Sequence, residues 1–115
     1  MSEVTELRDQ LRTFSAERDW DQFHSPKNLA SALVVEAAEL LEPFQWLTEE
    51  HSRALPSKTA EAVRMEMADV LIYLIRLADK LNVDLLQAAR DKIAANALKY
   101  PPDKAKGSAR KYTEL

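Results

Sequence analysis

The sequence predicts an all-α fold: a four-helix bundle-like protomer with a basic C-terminal tail. Glycine occurs once, at Gly107, whereas strand-rich folds need glycine for tight turns and bulges. Apolar residues recur at steps of three and four along four long stretches, which is the spacing of amphipathic helices. Helix-starting residues precede these stretches, and short polar links separate them. Four amphipathic helices joined in this way favour a bundle.

The first two predicted helices have clear starts. The first runs from about residue 2 to residue 20, with Ser2 as its N-cap. Its apolar stripe is formed by Val4, Leu7, Leu11 and Phe14. The second starts at Ser25-Pro26, because serine caps well and proline suits the first helical position, where no N–H partner is needed. Pro43 should end it near residue 42, and residues 44–47 are predicted to add a further turn.

The next two predicted helices follow a polar loop over residues 48–56. Ser57 is the expected N-cap of the third helix, which runs to about residue 81. Its predicted buried side consists of Val63, Met67, Val70, Leu74, Leu77 and Leu81. The fourth starts at Asp84, where Gln87 completes a capping-box pattern, and a pair of prolines after Tyr100 stops it. We therefore expect a helical domain over residues 1–102 and a tail over residues 103–115.

Composition narrows the class of protein. The 115 residues suggest one domain, and the lack of cysteine removes disulfides, zinc–thiolate sites and thiol nucleophiles. No run reaches the roughly 20 apolar residues of a membrane span, and the first ten residues lack a signal-peptide core. We therefore expect a cytoplasmic protein without a membrane partner. The net charge of −3 disfavours nucleic-acid binding but allows a small anionic ligand held through a metal ion.

Two pairs of acidic residues stand at the same position on their helices. With Glu36 at zero on a helical wheel, Leu40 falls at about +40° and Glu39 near −60°. With Glu66 at zero, Val70 falls at about +40° and Asp69 near −60°. Each helix thus carries one carboxylate within its apolar stripe and a second at the edge. Two further acids fall opposite the stripe and should face water: Glu61 and Asp79.

An ionised carboxylate among leucines is unfavourable unless it is paired or bound to metal. Four converging carboxylates suit Mg²⁺, which prefers oxygen ligands and keeps water that phosphates can displace. The predicted metal ligands are Glu36, Glu39, Glu66 and Asp69. A buried salt bridge to the fourth helix is the first alternative. A di-iron site is the second, although it normally uses Glu-x-x-His pairs, and neither His24 nor His51 follows a helical glutamate by three residues.

Other residues could serve a nucleotide. Lys92, Asn96 and Lys99 share one face of the fourth helix, where cations could hold phosphate oxygens or simply be solvated. Several aromatic side chains could stack on a base, or could be ordinary core or interface residues. These are Trp20, Phe23, His24, Trp46 and Tyr73.

The two acidic pairs resemble the signature of the MazG-like all-α nucleoside triphosphate pyrophosphohydrolases. Four further segments resemble the dCTP pyrophosphatase branch of that family: residues 17–24 (ERDWDQFH), 44–46 (FQW), 69–73 (DVLIY) and 110–115 (RKYTEL). The resemblance covers nearly the whole chain, from about Leu11 to the end. One departure is Pro43, which stands where a helix-forming residue is expected and could tilt Trp46.

The resemblance implies hydrolysis of a nucleoside triphosphate, most closely dCTP or a modified dCTP, to the monophosphate and pyrophosphate. It also implies Mg²⁺ on the four acids and a dimer or a tetramer made of two dimers. Residues around the base and sugar would be Trp20, His24, Trp46 and Tyr73. Residues near the phosphates would be Lys92 and Asn96. Residues of a tail that closes over the site, from the same or a neighbouring subunit, would be Arg110, Lys111 and Tyr112.

For the reaction itself, we expect Glu36 or Glu39 to orient or deprotonate the attacking water. Three rival interpretations stay open at this point. The same scaffold also serves dUTP and phosphoribosyl-ATP hydrolysis. A non-catalytic helical interaction module would pair the acids with basic side chains across an interface, and a di-iron protein would carry iron.

Overall fold

The structure, a computed structural model, describes residues 2–115; Met1, the first residue of the predicted helical domain, lies outside them. The predicted all-α class is confirmed, and no strand occurs among the described residues. The helices are α1 (Glu3–Glu17), α2 (Pro26–Leu41), α3 (Glu49–Ser52), α4 (Ser57–Lys80), α5 (Leu85–Lys99) and α6 (Pro102–Ala105). Short 3₁₀ turns occur at Asp21–Phe23 and Tyr112–Glu114.

Three of the four predicted helix starts are confirmed by their capping hydrogen bonds. The Ser2 hydroxyl accepts from the Thr5 N–H at 3.1 Å, and the Ser25 hydroxyl starts α2 in the same way at 3.2 Å. The Asp84 carboxylate accepts from the N–H of Gln87 at 3.0 Å. At the fourth start the prediction is wrong by one residue, because the extended Pro56 takes the N-cap position and Ser57 is already helical.

The connections differ from the prediction in three places. The first helix ends at Glu17 rather than near residue 20, because Asp19 takes a positive φ of 53° and turns the chain. The polar stretch 48–56 is not simply a loop, since Thr48 caps the single turn α3 by accepting from the N–H of His51. The tail likewise contains the short helix α6. Such single turns are too short to show an apolar period in the sequence.

The described chain falls into two compact units. The first extends to Asn82, and within it α1 and α2 both pack against α4. Its buried apolar side chains are Leu29, Val63, Ile75 and Ala78. The second unit, Val83–Leu115, holds its own tail in place: the Tyr100 and Tyr112 rings meet edge to face with centroids 6.0 Å apart. The proposed boundary between residues 102 and 103 remains a prediction.

Several apolar side chains lie at the surface of this chain. For the third predicted helix, the predicted buried side is wrong for Met67, Leu74 and Leu81, which are exposed, and right for Val63. Periodicity identifies the apolar side of a helix, but the number of neighbours decides how much of that side is covered. None of the described helices is both long enough and apolar enough to cross a membrane.

Candidate metal centre and adjoining cavity

Three carboxyl groups converge where α2 packs against α4. Each of Glu36, Glu39 and Glu66 offers one oxygen, and these oxygens all lie within 4.8 Å of one another. We call these three residues the carboxylate cluster. Asp69, one turn after Glu66, lies outside this group but close enough for its charge to affect both Glu36 and Glu66. Helical periodicity placed each acidic pair within or at the edge of the apolar stripe of its own helix, and the packing of α2 against α4 brings the two stripes together.

Two oxygens of the carboxylate cluster have no partner. Glu36 Oε2 and Glu66 Oε2 are buried without any hydrogen bond. Within residues 2–82, no ion pair includes a cluster residue or Asp69. Buried polar atoms in proteins are nearly always satisfied, and those that are not usually mark an unseen ion, a water or a functional site.

The charges of the carboxylate cluster oppose one another. Burial, followed by hydrogen bonding to Glu39 and repulsion from the other acids, raises the pKa of Glu36 to about 7. Burial also raises the pKa of Glu66, and the negative charges of Glu39 and Asp69 raise it further. Like charges that share a site disfavour ionisation in this way. A bound cation would reverse the effect by stabilising the ionised forms.

The donor set fits a hard divalent cation. It consists only of carboxylate oxygens, which are the ligands preferred by Mg²⁺ and Ca²⁺, and it includes no nitrogen or sulfur. The two unpartnered oxygens supply lone pairs that no hydrogen bond occupies. The absence of histidine from this set argues against the di-iron alternative, whose helical sites use Glu-x-x-His pairs.

A cavity of about 370 Å³ lies beside Asp69 in the same unit. Its walls are formed by Gln10, Leu11, Phe14, Ser15, Trp20, His24, Asp69, Ile72, Tyr73 and Arg76. Three of the four residues predicted to surround a base therefore line the same cavity: Trp20, His24 and Tyr73. The Trp20 and His24 rings stand edge to face with centroids 6.4 Å apart. Pockets of this volume with mainly apolar walls and a few polar groups suit small organic ligands.

The other predicted substrate residues are Trp46 of the first unit and five residues of the second unit. Trp46 is 88% exposed and is absent from the cavity wall. Lys92 and Asn96 are exposed residues of α5, and Arg110 and Lys111 are exposed residues of the tail. Tyr112 lies under Lys99, whose Nζ is 4.8 Å from the ring centroid. The five residues of the second unit keep their predicted roles only as predictions, as does Trp46.

Sequence reasoning missed Arg76. Its side chain is 4% exposed, it lines the cavity, and it bonds Asp21 Oδ1 at 2.6 Å and His24 Nδ1 at 3.2 Å. A signal was present, since Arg76 follows Asp69 by seven residues, or about two helical turns, and so shares its face.

The expectation that Asp79 faces water is wrong. Its side chain is only 10% exposed and is paired with Arg12 and Arg76. Packing of α1 on α4 covers this part of the helix. Glu61, which was expected to behave in the same way, is exposed and bonds Arg64 within its own helix.

The sequence and fold match known proteins over most of their length. Residues 32–115 match the MazG-like family. The chain is 51% identical to dCTP pyrophosphatase 1 of Mus musculus over 97% of its own length and 67% of that protein. The human protein of the same name is 48% identical over the same shares. A solved pyrophosphatase from Archaeoglobus fulgidus superposes with a TM-score of 0.82 at 39% identity, covering 88% of this chain and 94% of that one.

The family match covers well over half of the chain, and it includes all four predicted metal ligands. The relatives extend the similarity through the first helix and the Trp20–His24 segment, which lie before the matched region. The chain belongs to the MazG-like family.

Proposed function

We propose that this protein is a nucleoside triphosphate pyrophosphohydrolase that converts dCTP and water to dCMP and pyrophosphate. The observation that carries the proposal is the carboxylate cluster, with its two unpartnered oxygens, beside a cavity walled by aromatic rings. The similarity to dCTP pyrophosphatase 1 from two mammals supports the choice of substrate. The likeness to a solved pyrophosphatase supports the class of reaction.

The proposed cofactor is Mg²⁺, held by Glu36, Glu39, Glu66 and Asp69. When bound, it would supply positive charge that neutralises the triphosphate and the departing pyrophosphate. The chain's own contribution is the placement of these carboxylates on two packed helices. Because α2 and α4 are long and packed along each other, the ligands are held on rigid elements rather than on loops.

The proposed catalytic residues are Glu36 and Glu39. A water molecule attacks the α-phosphorus, the bond from that phosphorus to the bridging oxygen breaks, and pyrophosphate departs with the bond's electron pair. One of these carboxylates orients the water and accepts its proton. Both residues are also among the four proposed metal ligands.

The proposed base site is the cavity beside Asp69, where Trp20, His24 and Tyr73 present ring faces and edges to a planar ligand. Lys92 and Asn96 are proposed to contact phosphates, and Arg110, Lys111 and Tyr112 to belong to a segment that covers the site. Trp46 is proposed as a further contact to the base, and its high exposure leaves it available for a ligand or a second subunit. The cytoplasmic location stays a prediction.

The protein is proposed to act as a homo-oligomer, either a dimer or a tetramer made of two dimers. The support is apolar surface on the two helices that carry the acids. Val34 and Val35 of α2 are exposed, as are Met65 and Met67 of α4. Large exposed apolar side chains gathered at a surface can mark an interaction site, and a second copy of the chain is a common partner for such a site.

The decisive experiment measures pyrophosphate release from each common dNTP and NTP with Mg²⁺. We expect preferential turnover of dCTP, and a loss of at least roughly a hundredfold in kcat for Glu36→Gln, because removing a general base or metal-bound carboxylate has effects of this size. Arg64→Gln is a matched control, since Arg64 is exposed and bonds only Glu61.

The outcomes separate the alternatives. Preferential turnover of dUTP would replace the substrate while keeping the reaction class. No release from any nucleotide, with Mg²⁺ leaving the thermal stability unchanged, would refute both the reaction and the metal site.

A further inference from the structure

Arg76 is a buried cation that the chemistry above does not use. It is 3% exposed, it stands on the wall of the cavity, and it comes from the last third of α4. Its guanidinium bonds the Asp21 carboxylate at 2.6 Å and lies 3.7 Å from the Asp79 carboxylate. A buried charge is tolerated only when paired in this way, so the two carboxylates explain how the arginine is held. They do not explain its third contact.

That third contact is with a histidine ring. A terminal guanidinium nitrogen of Arg76 lies 3.2 Å from Nδ1 of His24. Arginine stays protonated in proteins and has donors but no acceptors. The nitrogen of His24 must therefore accept, which requires an unprotonated Nδ1. A neutral imidazole with an unprotonated Nδ1 carries its hydrogen on Nε2.

The charges around His24 also favour a neutral ring. Burial lowers the pKa of His24, the positive charges of Arg76 and Lys80 lower it further, and Asp21 opposes them. These are the charged groups that face the ring from the 3₁₀ turn and from α4. The hydrogen bond to Nδ1 and the electrostatics of the ring thus agree.

We propose that Arg76 is a positioning residue that fixes His24 as the Nε2–H tautomer, so that the ring offers the cavity's occupant one hydrogen-bond donor and no acceptor. The ligand edge that fits is an acceptor, such as the carbonyl oxygen or unprotonated ring nitrogen of cytosine. This inference rests on the proposed function insofar as the cavity receives the base. A ligand edge that presents only donors would place an N–H group against the Nε2–H of His24. Binding sites discriminate strongly against ligands that leave such groups unpaired.

The shape of the guanidinium group makes these three contacts possible. One guanidinium can reach two carboxylates and a ring nitrogen at once because its five N–H groups point in fixed, separate directions. The residue also links α4 to the segment before α2, since Asp21 begins the 3₁₀ turn and His24 directly follows it. Arg76 thereby sets both the tautomer and the orientation of the ring.

The direct test is the ¹⁵N NMR spectrum of the His24 ring in the whole 115-residue chain at neutral pH, with no ligand added. We expect an unprotonated Nδ1 and a protonated Nε2. In Arg76→Met, which keeps an unbranched side chain as far as the position of Nε and removes every donor, we expect the Nδ1 signal to move toward the protonated position. Arg12→Met is the matched control, because Arg12 is an exposed arginine that pairs with the same Asp79 and does not line the cavity. Its spectrum should equal that of the wild type.

A protonated Nδ1 in the wild type would overturn the proposal, and this result does not depend on whether Arg76→Met folds.

The kinetic test uses dCTP. Arg76→Met should raise KM by roughly three- to tenfold, the range for one hydrogen bond, with kcat changed less than twofold, because the carboxylate cluster is untouched. An altered Nδ1 signal with an unchanged KM would also overturn it. A wild type that hydrolyses no nucleotide would refute the proposed function alone, since the NMR result stands without turnover.

Discussion

Glu36 stands one turn before Glu39 on α2 and faces Glu66 across the contact with α4. This placement raises the pKa of Glu36 to about 7. Natural cores rarely hold several acids without a basic partner, because the desolvation and repulsion oppose folding. A metal site is an exception, because a bound cation offsets both the desolvation of the carboxylates and the repulsion between them. The desolvation and repulsion within the carboxylate cluster therefore oppose folding in the metal-free protein.

The stability of the metal-free protein should depend on pH through this residue. The pKa of Glu36 rises from 4.5 to about 7 on folding, so the folded state binds more protons than the unfolded state between these values. The contribution is fully present below about pH 4.5 and is lost as pH rises through about 7. We expect the melting temperature in EDTA to fall over this interval, as measured by circular dichroism.

Glu36→Gln serves as the comparison for that experiment, because glutamine keeps the shape and cannot ionise. Its melting temperature should fall less over the same interval. His24 acts in the opposite direction, since its lowered pKa makes the folded state bind fewer protons. Because His24 is present in both proteins, its contribution cancels when their melting temperatures are compared. Equal pH dependence in the two proteins would contradict the role assigned to Glu36.

At the scale of elements, the start of α2 connects the cavity to the carboxylate cluster. Ser25 caps the helix immediately after His24, and the Asn28 side chain donates to the carbonyl oxygen of Phe23 at 3.0 Å. These two bonds fix the direction in which α2 leaves the 3₁₀ turn. The direction matters because Glu36 follows eleven residues later on the same helix.

Removing the Ser25 cap should destabilise the protein by about 1 kcal/mol, the usual cost of replacing a serine N-cap by alanine. We expect this loss for Ser25→Ala in urea unfolding with an unchanged m-value. Ser25→Asp should retain most of the stability, because aspartate caps equally well and suits the positive end of the helix dipole. A Ser25→Asp protein as unstable as Ser25→Ala would show that the hydroxyl has another role.

Helical periodicity succeeded for some residues of α4 and failed for others. It placed Glu66 within the apolar stripe, and the structure buries one oxygen of that side chain. It also predicted burial of Met67 and exposure of Asp79, and both are wrong. A wheel describes one helix, whereas exposure depends on the neighbours of that helix. Asp79 is covered because α1 brings Arg12 against it, a contact between residues far apart in sequence.

At the scale of the whole molecule, apolar surface on α2 and α4 remains exposed in a single chain. We expect the wild type to sediment as a dimer or larger species. Val34→Asp should shift it toward the 13.1 kDa monomer, because Val34 is 68% exposed and a charge there would lose its hydration in an interface. The measurement is sedimentation velocity at several concentrations.

Thr13→Asp is the control for association, since Thr13 is exposed on α1 about 200° around the helix from Leu11. It should leave the sedimentation unchanged. A wild type that stays monomeric at all concentrations would contradict the proposed oligomer.

Binding of Mg²⁺ should stabilise the folded molecule as a whole. At a concentration one hundred times the Kd, a ligand that binds only the folded state adds about 2.7 kcal/mol. We expect the melting temperature to rise with Mg²⁺ and to return with EDTA in the wild type. In Glu66→Gln the rise should be much smaller. An equal rise in both proteins would show that the ion binds elsewhere.

Local patterns in the sequence were sufficient to predict the all-α class, the four long helices with three of their caps, and the acidic pairs Glu36/Glu39 and Glu66/Asp69. These features follow from local rules, since caps, periodicity and proline act within a few residues of the chain. Only the packing of the helices shows that carboxylate oxygens of Glu36, Glu39 and Glu66 lie within 4.8 Å of one another. It alone placed Arg76 between Asp21 and His24. Each of these contacts joins residues that are distant in sequence, and helix packing, which no local rule specifies, determines which of them come together.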